Sequence, residues 1–293
     1  MSPYPIDKKT MNKEDIRLQY VPITDDAIFI ACFDGWGNAL EVSMGMGEFL
    51  IRSLKAQPFG EIIGDPFYLT KEKRPIISVK DGIMKNLVPA RCKLYVVPKE
   101  RAGRDVIIMI GDEPDLQWSR FTHCILTLCG DMGIKTIVSC GGLQDNILPT
   151  DMIISAFASS QEILDALGEL NATMINYSGP SSIHSSLHFE AKQQGFDTVG
   201  LYGHCPYYLQ GIKHFGLISH MGSLLSKWAG LTLDTGSLLE AWQDLNKQIQ
   251  NAIKENQELK DIVSGIRKGR TQQNADVTKS DDKIINLKDY LQI

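Results

Sequence analysis

The chain has 293 residues, a formal net charge of −5, 43% hydrophobic and 22% charged residues. These are globular proportions, and the acidic balance excludes a nucleic-acid groove, which needs clustered Lys and Arg. No stretch approaches the ~20 consecutive apolar residues of a membrane span, and a single core usually stops growing at roughly 250–300 residues, so one large domain with an appendage is expected.

Met1 to Val21 is polar, with no basic segment leading into an apolar run, and reads as a mobile arm without a signal peptide. Ala27–Phe33 (AIFIACF) is a short apolar run suited to a strand buried on both faces. It stops at Asp34-Gly35. Ala39–Leu54 then has helical spacing through Leu40, Met44, Phe49 and Leu50. Glu61–Phe67, Pro75–Val79 and Cys92–Val97 are strand candidates, read as a hairpin-rich insertion at one sheet edge. Asp105–Ile110 is a buried strand, Gln117–Met132 a helix stopped by Gly133, and Lys135–Cys140 a strand running into Gly141-Gly142. Strands at Met152–Phe157, Ala172–Tyr177 and Thr198–Tyr202 alternate with helices at Gln161–Leu167 and Ser182–Gln193. The alternation predicts an α/β fold, a layered and mostly parallel sheet with helices on both faces.

From residue 211 the pattern is helical. Trp242, Leu245, Ile249, Ala252, Asn256, Leu259, Val263 and Ile266 follow steps of three and four, a heptad seam within Gly236–Arg267 with Asn256 at a register-fixing position. Such a seam packs on its own subunit or joins two subunits. Residues 269–282 are polar, as in a flexible linker, and Ile284–Ile293 regains apolar groups as a tail. The expected division is an arm over 1–21, an α/β core over 22–210, helices over 211–268 packing on the core or at an oligomer interface, and linker and tail over 269–293. The cysteines at 32, 92, 124, 129, 140 and 205 form no CxxC pair, which predicts free thiols in a reducing, cytoplasmic setting.

Four segments in order carry a family resemblance: FDGWGNA (Phe33–Ala39), GDEPDLQW (Gly111–Trp118), YSGPSSIHSSL (Tyr177–Leu187) and GHCPYYL (Gly203–Leu209). Together they resemble the proteasome assembly chaperone 2 family over roughly Ile28 to Leu239. The resemblance implies a phosphorylase/hydrolase-like α/β fold, a homo-oligomer and a chaperone-like role with a protein partner. Two features depart from the family's pattern. Where many relatives place a threonine-arginine-proline turn after the paired glycines, this chain reads Leu148–Met152 (LPTDM). Tyr290 is followed by Leu291, Gln292 and Ile293, so the tail lacks a penultimate tyrosine for docking in a proteasome pocket.

In open α/β sheets ligands collect at the carboxyl ends of strands, where these motifs fall. Candidate catalytic residues are Asp34, Glu113, Ser181 and His204. Candidate ligand-binding residues are Gly35, Gly37, Asn38, Asp112, Gly141, Gly142, Tyr177, Gly179, Ser182 and Tyr207. Gly179–Ser182 opens a helix whose free N–H groups suit a small anionic ligand. Each has a plainer role in turns and caps. His184 and His188 share a helix face without an HExxH glutamate, so no metal is expected. Relatives sometimes carry an ATP-grasp label, as ATP-dependent carboxylate-amine ligases. Here there is no GxxxxGK[ST] loop and no late acidic pair for magnesium, and no cofactor is expected. Two functions stay open: a homo-oligomeric scaffold, or a hydrolase or phosphorylase-type transferase using the loop cluster.

Overall fold

A computed structural model describes residues 15–272 and 285–286. Among them, nine strands form one twisted sheet in the order β1-β3-β6-β7-β2-β8-β11-β9-β10. The centre is β7 (Val106–Asp112), β2 (Ile28–Asp34), β8 (Thr136–Asp145) and β11 (Asp197–Pro206), all mutually parallel. Antiparallel strands flank it. β6 (Cys92–Val97), β3 (Gln57–Ile62) and β1 (Ile16–Leu18) extend one side, and β9 (Ile154–Ala158) lies on the other, followed by the two-residue β10 (Thr173–Met174).

β2 shows why the centre is apolar throughout. Ile28, Ile30 and Cys32 enter one core, while Phe29, Ala31 and Phe33 enter the other. Successive side chains of a strand point to opposite faces, so a strand covered on both sides has no polar positions to spare. The first core packs under α1 (Val42–Ser53) and α6 (Phe215–Ala229), with α4 (Gln161–Glu169) beside them. The second packs under α3 (Trp118–Asp131) and α5 (Ile183–Gln193). A short helix, α2 (Lys99–Ala102), leads into β7.

Several expectations need correction. The arm expected over 1–21 contains β1 on the sheet edge from residue 16, because Ile16 and Leu18 have an apolar face to bury. Residues 1–14 lie outside the described residues. The helix expected from Ala39 begins at Val42, after Leu40 and Glu41 adopt left-handed backbone. Of the strands expected at the insertion, Cys92–Val97 is β6 of the main sheet, whereas the one expected over Glu61–Phe67 lies earlier, as β3, and residues 63–67 turn away from the sheet. β4 (Ile76–Lys80) instead pairs with a strand not foreseen, β5 (Ile83–Val88), in a separate hairpin. The strand expected over Ala172–Tyr177 shrinks to β10. The fourth motif does not follow a strand: His204 and Cys205 lie inside β11, and Gly141-Gly142 lie inside β8.

The heptad seam also resolves differently. α7 (Gly236–Glu255) ends where Asn256 turns extended, and α8 (Gln257–Gln272) starts anew. The Asn256 side-chain oxygen accepts a hydrogen bond from Leu259 N–H at 3.1 Å, so this residue caps α8. Trp242, Leu245, Ile249, Leu259, Val263 and Ile266 bury together with Tyr208 and Ile212. The spacing continued through the break because both helices share this one core. His214 ties it to the body: its Nδ1 accepts from Leu217 N–H, and its ring stacks on Trp242 at 4.3 Å. Residues 269–272 are helical, and Ile285–Asn286 (β13) pairs in parallel with Leu209–Gln210 (β12). The rest of the expected linker and tail lies outside the described residues. No helix among those described is long and apolar enough to cross a membrane.

Candidate functional site

The carboxyl ends of β2 and β7 meet the start of α5, and Glu113 joins all three. Its N–H donates to the Asp34 carbonyl at 2.7 Å. Its carboxylate accepts from Trp36 N–H at 2.7 Å through one oxygen and from Ile183 N–H at 2.8 Å through the other. The second bond satisfies a free N–H in the first turn of α5, where a negative charge is also favoured by the helix dipole. A Cβ at Gly35 would collide with that carboxylate, so the motif glycine makes room for the acid. The small anion expected at this helix end therefore meets a carboxylate of the chain itself.

The other candidates of this group are engaged locally. The Asn38 amide donates to Asp34 Oδ1 at 2.9 Å, and its oxygen accepts from Met44 N–H, setting the start of α1. Asp112 pairs with Lys73 at 3.5 Å, and its carbonyl accepts from the Tyr68 hydroxyl. Gly142 N–H donates to the Gly37 carbonyl at 2.8 Å, which seats the first loop on β8 beside Gly141. Tyr177 arches over Gly179, its hydroxyl donating to the Pro180 carbonyl at 2.9 Å. Ser182 is buried at the cap position of α5, while Ser181 is exposed.

Beneath the loop lies His184. Its ring is 1% exposed, with neither nitrogen hydrogen-bonded, and it meets Phe33 edge-on at 5.1 Å. One turn later His188 shares a 2.6 Å hydrogen bond with the Ser139 hydroxyl. Burial pushes the His184 pKa down to about 4. Burial and then the neighbouring His184 push that of His188 down to about 3. Both are neutral rings packed on the sheet. Among the described residues no third ligand-type side chain groups with them.

His204 belongs to a second group. Its Nδ1 meets Asp145 Oδ2 at 2.7 Å, and its Nε2 meets the Ser155 hydroxyl at 2.9 Å. Acid, imidazole and hydroxyl in line are the parts of a general-base relay. Ser155 is 2% exposed, however, which leaves its hydroxyl no path to a substrate in this conformation. Asp145 stands 59 residues from His204, too far for sequence spacing to announce. Cys205 alternates to the other side of β11, where burial pushes its thiol pKa up and the thiol donates to the Ala39 carbonyl at 3.4 Å. It is not poised as a thiolate. Tyr207 N–H donates to the Asp145 carbonyl, and its ring packs against Tyr208.

Beside the first loop opens a cleft of about 320 Å³ lined by Asp34, Asn38, Glu41, Gln144, Gln210 and Ile212, among others. Glu41, Gln144 and Gln210 were not among the sequence candidates, and no motif marks them. The only sign is structural: Leu40 and Glu41 hold left-handed backbone, with φ of 47° and 54°. Strain of about 1–3 kcal/mol per such residue concentrates at functional clefts. The nearby Lys213 is paired with Glu48 at 2.7 Å and Glu41 at 3.5 Å. Carboxylates and amides suit a ligand that brings N–H donors better than an anion.

The profile of the PAC2 family matches residues 32–253. A proteasome-assembly chaperone homologue from Mycobacterium tuberculosis superposes with a TM-score of 0.72 at 22% identity, covering 80% of this chain and 99% of that one. A protein of unknown function from Corynebacterium glutamicum gives 0.79 at 16% identity, covering 89% and 98%. PbaB of Pyrococcus furiosus, an archaeal proteasome activator, gives 0.64 at 19% identity, covering 82% and 99%. A comparison with curated proteins finds no match. The match of the family profile across the α/β core and into α7 establishes that the chain belongs to the PAC2 family.

Proposed function

We propose that this chain is a chaperone-like scaffold that self-associates and holds a protein partner at the rim formed by its motif loops. The observation that carries this reading is the use of Glu113. A carboxylate that already holds two backbone N–H groups is committed to position, and swinging it toward a reacting group would break both bonds. Here both oxygens serve backbone N–H groups and fix three elements in place. The exposed groups beside it are the large side chains Trp36 and Tyr177, each 63% exposed, which are residue types enriched in protein interfaces. The similar folds of a proteasome-assembly chaperone homologue and of a proteasome activator suggest proteasome subunits as the first partners to try.

The test mixes the purified chain with separately purified proteasome α and β subunits and follows ring formation by native electrophoresis. Faster ring formation, or a stable complex with unassembled subunits, supports the scaffold. No complex with any subunit, together with turnover of an ester or nucleoside, would overturn it.

The enzyme reading has one observation in its favour, the Asp145–His204–Ser155 alignment. Labelling of Ser155 by a fluorophosphonate, lost in His204→Ala, would favour a hydrolase. Absence of labelling leaves these residues a structural tie between β8, β9 and β11.

A further inference from the structure

We infer that the β4–β5 hairpin is a docking arm whose apolar face packs on the body of a second copy of this chain. The inference deepens the self-association in the scaffold reading and rests on it. Among the described residues β4 and β5 pair only with each other. Asp81 and Gly82 join them with φ of 52° and 74°, the positive values of a type I′ hairpin turn. The register places Ile77 opposite Leu87 and Val79 opposite Met84. These four side chains share one face, and they are 50%, 56%, 57% and 63% exposed. The other face is mixed, with Ile76 opposite Val88, Ser78 opposite Asn86 and Lys80 opposite Ile83.

A lone two-stranded hairpin is marginal in water, and its free edges invite pairing. A wholly apolar face on such a hairpin gains stability only when something covers it. These four side chains, at roughly 60–120 Å² each, expose about 240–480 Å², the scale of the largest apolar patch of an ordinary monomer.

Charge selects the occupant. The whole chain has 30 basic and 35 acidic residues, and the hairpin over 76–88 holds two of the basic ones, Lys80 and Lys85, and one of the acidic ones, Asp81. The remainder therefore holds 28 basic and 34 acidic residues. A basic, apolar arm thus projects from an acidic body, and another copy of that body is its electrostatic complement. Hairpin against hairpin would oppose Lys80 and Lys85 to like charges. Arm to body is a head-to-tail contact, which closes into a ring where the rotation between copies permits.

Light-scattering mass of the full chain over a range of concentrations and salt tests the arm. Wild type is expected to give a multiple of 32.6 kDa that falls at high salt. The variant Ile77→Thr/Val79→Thr/Met84→Thr/Leu87→Thr is expected to give a single-chain mass throughout, with the circular dichroism of wild type. Lys80→Glu/Lys85→Glu, which leaves the apolar face intact, should weaken association at least ~tenfold. If the threonine variant keeps the wild-type mass, the arm is refuted while self-association stands; if it fails to fold, an unchanged dissociation constant in the charge variant refutes the arm equally. A wild type that is a single chain at every concentration overturns both arm and self-association. Binding of single-chain wild type to phosphatidylserine vesicles, lost in the threonine variant, assigns the face to a membrane and overturns the second copy.

Discussion

The rim around Glu113 and the β4–β5 hairpin treat their surroundings in opposite ways. At the rim, one carboxylate meets two backbone N–H groups 77 and 70 residues away in sequence, and an asparagine positions the next helix. The carboxylate and the asparagine are spent on backbone groups of the fold, while Trp36 and Tyr177 face water. At the hairpin no residue is buried and four apolar side chains share one open face. The contrast separates two kinds of surface. Groups satisfied within the fold hold its shape, and groups left unsatisfied, here apolar ones, are available to a partner.

The largest way to break the contrast is acid. His184 and His188 beneath the rim and His214 beside Trp242 are buried, and burial holds their pKa values at about 4, about 3 and about 4. In the unfolded chain each returns to ~6.5. The folded values lie lower, so the unfolded state takes up protons first as pH falls. Stability is therefore complete above pH ~6.5 and lost toward pH ~4, by up to ~1.4 kcal/mol per pH unit for each histidine. Urea midpoints measured from neutral pH down to about 5 should fall by an amount worth several kcal/mol. A flat profile over that window would mean that these rings are not held neutral by the fold.

Glu113 comes next. Glu113→Ala leaves the part-buried Ile183 N–H without its acceptor and hands the exposed Trp36 N–H to water, an expected loss of ~1–3 kcal/mol in urea unfolding. Glu113→Gln keeps one acceptor and should lose about half as much. If the alanine variant unfolds within ~0.5 kcal/mol of wild type, the rim is not clamped by this residue.

How much of this the sequence disclosed depends on the range of the interaction. Ala27–Phe33 announced a doubly buried strand because its apolar run is continuous, and both cores are built around it. Gly35 and Glu113 were visible as motif residues. Their joint role was not, since a helix cap supplied from another strand leaves no local spacing. The same distance hid Asp145 from His204. Asn256 misled because two helices folded against each other share one core, so the heptad steps run on across the break. β5 could have been found: Asp81-Gly82 is a strong short-range hairpin signal, and it joins two apolar runs.

The smallest effect sharpens the comparison from the other side. Below the concentration at which copies associate, substituting Ile77, Val79, Met84 and Leu87 by threonine should change unfolding free energy by no more than ~0.5 kcal/mol. These side chains leave no cavity, and threonine suits a strand as well as they do. Above that concentration the two proteins should part company. Wild-type melting temperature should climb with concentration, as mass action requires when only the folded state binds, and the variant's should stay level. Differential scanning fluorimetry over a concentration series reads both limbs at once. A variant already destabilised when dilute would make the hairpin part of the fold rather than an arm, and the contrast with the rim would disappear.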